Sequence, residues 1–449
     1  MLRRGQIQAR HDPYHYLPRF LRLEAKVAER SAGKLRDYVR AMSGGATPKA
    51  EEHDKYYADG TTGVPFVRVQ NLSVSGQLQL DDVKYINQET HDGMLARSQV
   101  MADDLLVKIT GVGRMAVASV PPPGFKGNIN QHIARIRTDS RQTSEVLAAW
   151  LNTDVAEALA KRRSTGGTRP ALDYGALRSM PVIFDVQTKS LMLAAYQQYQ
   201  STLAHASAVL ADIDNYFLRK LGIILPAASE NTISSRIFKA QLGALAGWRF
   251  DPQALHPERE AAREEVKRLP VRPLRRAAAF CKTLVTEIPE GAIYIGLENI
   301  ESATGRYVPS SEKETVSSAF IFRKGQVLFP KLRPYLNKVF LTPFDGLCST
   351  EFHVLQGITI SSEFLALFLR SQIVVRQTKH LMSGNTLPRL QTEDIEGILI
   401  PDVDTELQEK IVLEAKRRME EAERLRCHAE VDLTIAKQSI ESMLLGDIA

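Results

Sequence analysis

Apolar and polar positions alternate through Phe66-Val67-Arg68-Val69-Gln70-Asn71-Leu72 and break at a turn marked by Gly76, the period of a half-buried strand. The same alternation returns in Tyr294-Ile295-Gly296-Leu297-Glu298-Asn299-Ile300, followed by Gly305. Ahead of these, Arg10-His11-Asp12-Pro13 with Pro18 is answered by Arg249-Phe250-Asp251-Pro252 with Pro257, and Leu35-Arg36 by Leu274-Arg275. A second strand pair follows: Asp103-Asp104-Leu105-Leu106-Val107-Lys108 against Lys324-Gly325-Gln326-Val327-Leu328-Phe329. Late in each copy stand Thr165-Gly166-Gly167-Thr168-Arg169-Pro170-Ala171-Leu172 and Ser383-Gly384-Asn385-Thr386-Leu387-Pro388-Arg389-Leu390. An ordered series of matches along both halves means a duplicated chain.

Each copy closes on a long helix that stops at a glycine, Gly222 or Gly446. In the first, Met192, Ala195, Tyr199, Thr202, Ala206, Val209, Ile213 and Tyr216 recur at steps of three and four, a heptad seam. In the second, Ile411, Ala415, Ala422, Leu425, Ala429, Ala436 and Ile440 form a similar stripe beneath a face of mixed charge. A helix with one apolar seam needs a partner, and packing the two on each other is the economical solution. The pattern predicts an α+β chain: two duplicated globular α/β domains, residues 1–184 and 247–403, separated by long helices at 185–222 and 404–449, with a connector at 223–246.

Composition adds bounds. A chain of 449 residues, 44% hydrophobic, suffices for two or three buried cores. The net charge of +6 leans toward a polyanionic partner without requiring one. Cys281, Cys348 and Cys427 lie far apart, which suits a reducing cytosol and neither a disulfide framework nor a zinc knuckle. No apolar run follows Met1-Leu2-Arg3-Arg4, and no stretch approaches the roughly 20 apolar residues of a membrane span. A cytoplasmic protein with no membrane partner is expected.

Two stretches approach catalytic motifs without completing them. Gly111-Val112-Gly113-Arg114-Met115-Ala116 fits a dinucleotide fingerprint, but Pro121-Pro122-Pro123 follows too soon for the required helix. A turn between strands is expected there. Pro401-Asp402-Val403-Asp404-Thr405-Glu406 hints at a nuclease carboxylate cluster, but Gln408 stands where the lysine should be, so these acids are expected to cap the last helix. The ten histidines show no paired ligand spacing. Neither an Asn-Pro-Pro-aromatic motif nor a phosphate-binding P-loop occurs. No catalytic residue, metal or cofactor is assigned to this chain.

What remains is polar and repeated. Gly127-Asn128-Ile129-Asn130-Gln131-His132 and Cys348-Ser349-Thr350-Glu351-Phe352-His353 each precede an apolar strand. Asn and Gln pair with adenine, Glu accepts from cytosine, and Arg or Lys reads guanine. Candidate DNA contacts in the first copy are therefore Arg68, Gln70 and Asn71, then Asn128, Asn130, Gln131 and His132. Lys108 and Arg114 beside the glycine turn join them, with Arg163 from the basic run Lys161-Arg162-Arg163 and Thr165, Thr168 and Arg169 of the loop. In the second copy they are Glu298 and Asn299, Lys331 and Arg333, Ser349, Thr350 and Glu351, and Ser383, Asn385, Thr386 and Arg389. Basic members suit phosphate contacts, which position without specifying.

These features resemble the specificity subunit of Type I restriction-modification systems. The resemblance rests on Gly63-Val64-Pro65-Phe66-Val67-Arg68-Val69-Gln70-Asn71, on Asp103-Asp104-Leu105-Leu106, and on the loops holding Pro170-Ala171-Leu172 and Pro388-Arg389-Leu390, in that order and duplicated. It implies a non-catalytic subunit on double-stranded DNA that reads a bipartite target, one half-site per domain, with the long helices packed as an antiparallel coiled coil. It further implies docking to two methyltransferase subunits that bind S-adenosylmethionine, with room for a restriction subunit. A related Type IIB-like system and a coiled-coil scaffold that binds no nucleic acid are the alternatives.

Overall fold

The computed structural model describes residues 12–31, 33–49, 53–58, 62–80, 83–183, 186–227, 237–239, 252–289, 291–309, 317–383 and 388–445. The chain divides into two compact units: Met1–Ala204 with Leu425–Ala449, and His205–Arg424. Each long helix is thus shared, its first half in one unit and its second half in the other.

In the first unit an antiparallel sheet runs in the order Ala41–Gly44, Ile133–Arg137, Leu105–Lys108, Ala118–Ser119. The run Leu105–Val107 is buried on both faces, which explains why it reads as continuously apolar rather than alternating. The helix Arg141–Leu151 covers it and buries Trp150, whose indole donates to the Pro181 carbonyl at 3.1 Å. A second sheet holds Tyr57–Ala58, Lys84–Ile86, Val64–Val67, Lys126–Ile129 and Gln99–Met101 in that order. Its central pair, Val64–Val67 and Lys126–Ile129, is parallel.

The second unit repeats this plan. Its antiparallel sheet runs Ala278–Cys281, Phe352–Gly357, Val327–Pro330, Phe340–Leu341; its other sheet runs Leu284–Val285, Ala319–Phe322, Gly346–Cys348, Tyr294–Ile295. Again the pair nearest the expected recognition loops, Tyr294–Ile295 and Gly346–Cys348, is parallel. The duplication expected from the sequence is therefore a duplication of topology.

The long helices span Val186–Leu221 and Thr405–Leu445, 36 and 41 residues. Asp404 accepts from the Leu407 amide at 2.7 Å, the expected cap, and Gly222 ends the first helix at φ 69°. In the first unit Met192, Tyr196 and Tyr199 share a core with Ala429, Leu433 and Ile440; in the second, Ile213, Phe217 and Leu221 share one with Ile411 and Ala415. The start of each helix thus meets the end of the other, an antiparallel pair. Tyr196 and Phe217 lie off the predicted seam yet are buried, because a globular core covers the flank that a coiled coil would leave wet. Among the described residues no helix is long and apolar enough to cross a membrane.

Candidate nucleic-acid interface

Three backbone segments meet beside each antiparallel sheet, bonded in the same way in both units. In the first, Ile109 donates to the His132 carbonyl at 2.9 Å, Leu172 to that of Ile109 at 2.8 Å and Gly111 to that of Pro170 at 3.0 Å. In the second, Lys331 donates to Glu351 at 2.8 Å, Leu390 to Lys331 at 3.0 Å and Arg333 to Pro388 at 2.9 Å. Residues 165–171 form a hairpin closed by the bridge Thr165↔Ala171, and in the second unit Ser383 and Arg389 are bridged in the same way. The Gly111–Gly113 segment is a turn between antiparallel strands, as expected, and no helix begins there.

This arrangement gathers many of the candidates. Gln131, Thr165, Thr168 and Arg169 are exposed, and His132 is half-buried. Burial, then the nearby Arg169, lowers the His132 pKa, so this imidazole is neutral at pH 7 and offers one donor and one acceptor. The parallel strands Val64–Val67 and Lys126–Ile129 deliver Arg68 and Gln70 to the same end: Asn130 donates to the Val67 carbonyl at 3.1 Å. With its amide oriented to suit, Gln70 accepts from the Arg68 guanidinium at 2.7 and 3.1 Å. A cleft of about 740 Å³ runs along the hairpin past Tyr14, Gly113, Lys161 and Thr165–Gly167.

In the second unit Lys331, Arg333, Ser349, Thr350, Glu351, Ser383 and Arg389 converge; Asn385 and Thr386 lie outside the described residues. Glu351 takes Arg389 in a two-pronged pair at 2.9 and 3.0 Å. Lys331 donates to the Thr350 carbonyl at 2.6 Å, and burial, partly opposed by Glu351, lowers its pKa. Where the first unit has Arg68 and Gln70, the second has Gly296 and Glu298. The exposed Glu298 folds its carboxylate over Gly296, where a β-carbon would sit about 2.1 Å from Oε1.

Other candidates are occupied by structural work. Asn71 and Asn299 are buried in matching turns: Asn71 accepts from the Arg68 amide at 2.8 Å and donates to Gln79 at 2.9 Å, while Asn299 accepts from Gly296 at 2.9 Å and donates to Val308 at 3.2 Å. Asn128 is fully buried, bonded to Leu95 and His91. Asn130, also buried, accepts from the His132 amide at 3.2 Å and shapes the loop. Lys108 props the glycine turn by donating to Val112 at 2.6 Å. Arg114 is tied to Asp154 at 2.6 Å and to the Asn152 carbonyl at 2.7 Å. The expectation that Arg163 holds phosphate is corrected: Arg162 and Arg163 are buried and both pair with Glu24. Sequence reasoning missed Thr47, which bonds Gln131, and Lys282, whose charge is felt at Lys331; neither carries a local motif.

Also missed was a cluster in the second unit, His256, Glu258 and His380, whose ligand atoms lie within 4.8 Å of one another. His256 and Glu258 are two residues apart but His380 lies more than 120 residues further on, so local spacing could not reveal it. It does not suit a metal ion. The two imidazoles stack in parallel at 3.6 Å, so one ion cannot lie in both ring planes. Glu258 is already claimed by Arg376 and by Lys379 at 2.6 Å.

No family model matches the chain. Over 132 residues it is 30% identical to the Type I restriction enzyme EcoDI specificity subunit of Escherichia coli, a match covering 29% of this chain and 29% of that protein. The match thus spans less than a third of the curated relative. Among solved structures, the Type I restriction-modification S subunit from M. genitalium aligns over 92% of this chain and 94% of its own at 11% identity and a TM-score of 0.35. The HsdS subunit from Thermoanaerobacter tengcongensis aligns over 92% and 96% at 12% identity and a TM-score of 0.30. The resemblance to Type I specificity subunits carried by the sequence motifs is borne out by a curated relative of that description.

Proposed function

We propose that this chain is the DNA sequence-recognition subunit of a restriction-modification complex, reading a bipartite target with one half-site per unit. The observation that carries the proposal is the twice-built junction of three backbone segments, held by the same backbone bonds but furnished with different side chains. A constant frame with exchanged polar groups is what two readers of different sequence require. In the first unit Gln131, His132, Thr165, Thr168 and Arg169 are among the exposed or half-exposed groups; in the second, Ser349, Thr350, Glu351 and Arg389 are. Catalysis falls to partners: two docked methyltransferase subunits, carrying S-adenosylmethionine, with a restriction subunit as a further partner, in the cytoplasm. The EcoDI relative, a specificity subunit by name, supports this division of labour.

The test is selection of a random duplex pool by the full chain, or by the assembly it purifies with, followed by sequencing at two salt concentrations. Two short conserved blocks separated by a fixed unread gap are expected. Arg169→Ala should weaken binding without loss of stability. Recovery of no enriched sequence, with no salt-dependent retention of DNA, would leave the scaffold alternative standing. Methylome sequencing of a host carrying the locus would then separate Type I from Type IIB-like organisation.

A further inference from the structure

The turn after strand Val327–Pro330 holds Arg333 at φ 49° and ψ 54°, in the left-handed region. A residue with a β-carbon is strained there, whereas glycine is not. The first unit fills the corresponding position with Gly111, at φ 124°. The correspondence is fixed by hydrogen bonding: each amide donates to a proline carbonyl, Gly111 to Pro170 and Arg333 to Pro388. Both units thus use a positive φ at this point, and one of them adds a side chain. Strain retained where glycine would serve is a sign that the side chain has a task.

The surroundings indicate which task. Lys331 precedes Arg333 by two residues, and Leu332 is bridged to Arg389. Glu351 is already engaged by Arg389 on both oxygens. Lys282 adds charge that is felt at Lys331 and at the buried His353. His353 Nε2 and Arg333 Nε are both buried without a hydrogen-bond partner. Positive charge at this turn exceeds what Glu351 neutralises.

We infer that Arg333 anchors a backbone phosphate of the bound nucleic acid, the anion this turn lacks. The inference rests on the DNA-recognition reading above. A phosphate contact positions the duplex and carries no base preference, and its contribution falls as salt displaces it.

Arg333→Gly is the informative substitution, because it removes the guanidinium and relieves the strain together. Binding of the full chain to a random-sequence duplex pool is measured across a series of KCl concentrations, alongside thermal unfolding. The expected result is a melting temperature equal to or above wild type, weaker binding to all sequences alike, and a log–log salt slope smaller by about 1. Arg333→Lys, which keeps the charge, should restore most of the slope. Wild-type affinity and slope in Arg333→Gly would overturn the anchor and leave the DNA reading intact. An altered preference at one base pair with unchanged slope would overturn the phosphate assignment in favour of base reading. Failure of the wild-type chain to bind any duplex would instead remove the reading on which the inference stands.

Discussion

A guanidinium that is to hold a phosphate must bring charge that its own chain has not already neutralised. Arg163 shows the opposite case. It stands four residues after Leu159, and Arg162 seven after Val155, so both basic side chains fall on the buried face of their helix. There they meet Glu24. A basic run invites a surface reading; the helical phase, also present in the sequence, would have corrected it. Asn71 and Asn299 were legible as a repeated pair but not as turn-formers, because an asparagine's choice between base and backbone is made by burial. Asn71→Ala and Asn299→Ala should each cost about 1–3 kcal/mol of stability, since each strips two backbone groups of the turn, at least one of them partly or fully buried, of their partner. Chemical denaturation measures this. If either variant keeps wild-type stability but loses affinity for DNA, the asparagine is a contact after all.

Between elements, the second unit is fastened by Glu258 in the first turn of helix Pro257–Lys267, which reaches Arg376 on helix Gln372–Thr378 and Lys379 and His380 just beyond it. Burial opposes ionisation of this carboxyl, but Lys379, His380 and Arg376 outweigh it and hold the pKa at about 2. The unfolded chain titrates near the ordinary value of 4.5. The folded state therefore gains stability from Glu258 above pH 4.5 and loses it as pH falls from there toward 2. Glu258→Gln should flatten the acid limb of the melting curve in that window. At pH 7 it should cost about 2–3 kcal/mol, less than the roughly 3–5 of a fully buried pair because Lys379 is partly exposed. An unchanged acid limb would show that Arg376, Lys379 and His380 do not act on this carboxylate. Element-level legibility was uneven for a physical reason. Strands and heptad stripes announce themselves by period, so the duplication and the helix pair were readable in advance. Contacts joining residues as distant as Glu258 and His380 leave no local period, and nothing in the sequence marks them.

At the scale of the whole molecule, modular exchange depends on how the shared helices grip each unit. In the first unit, Lys437 donates to the Val74 carbonyl and Glu441 accepts from the backbone amides of Asp154 and Val155. In the second, Asp214 accepts from the Gln372 amide at 3.2 Å. The same device recurs: a carboxylate of one long helix caps a short helix of the unit it rests on. Because these partners are backbone groups, the grip does not depend on which side chains the recognition loops carry. Residues 1–182 should therefore be replaceable by a domain of the same fold and different loop sequence, provided the turn at Val74 and the start of helix Asp154–Arg163 are kept. The chimaera should unfold within about 1 kcal/mol of the parent, apart from differences between the two cores. Its selected target should differ from the parent's in one sequence block, the other block being unchanged. If both blocks change together, recognition is a property of the joined molecule and not of each unit. If neither changes, the junction of hairpin, turn and loop in the first unit does not read sequence.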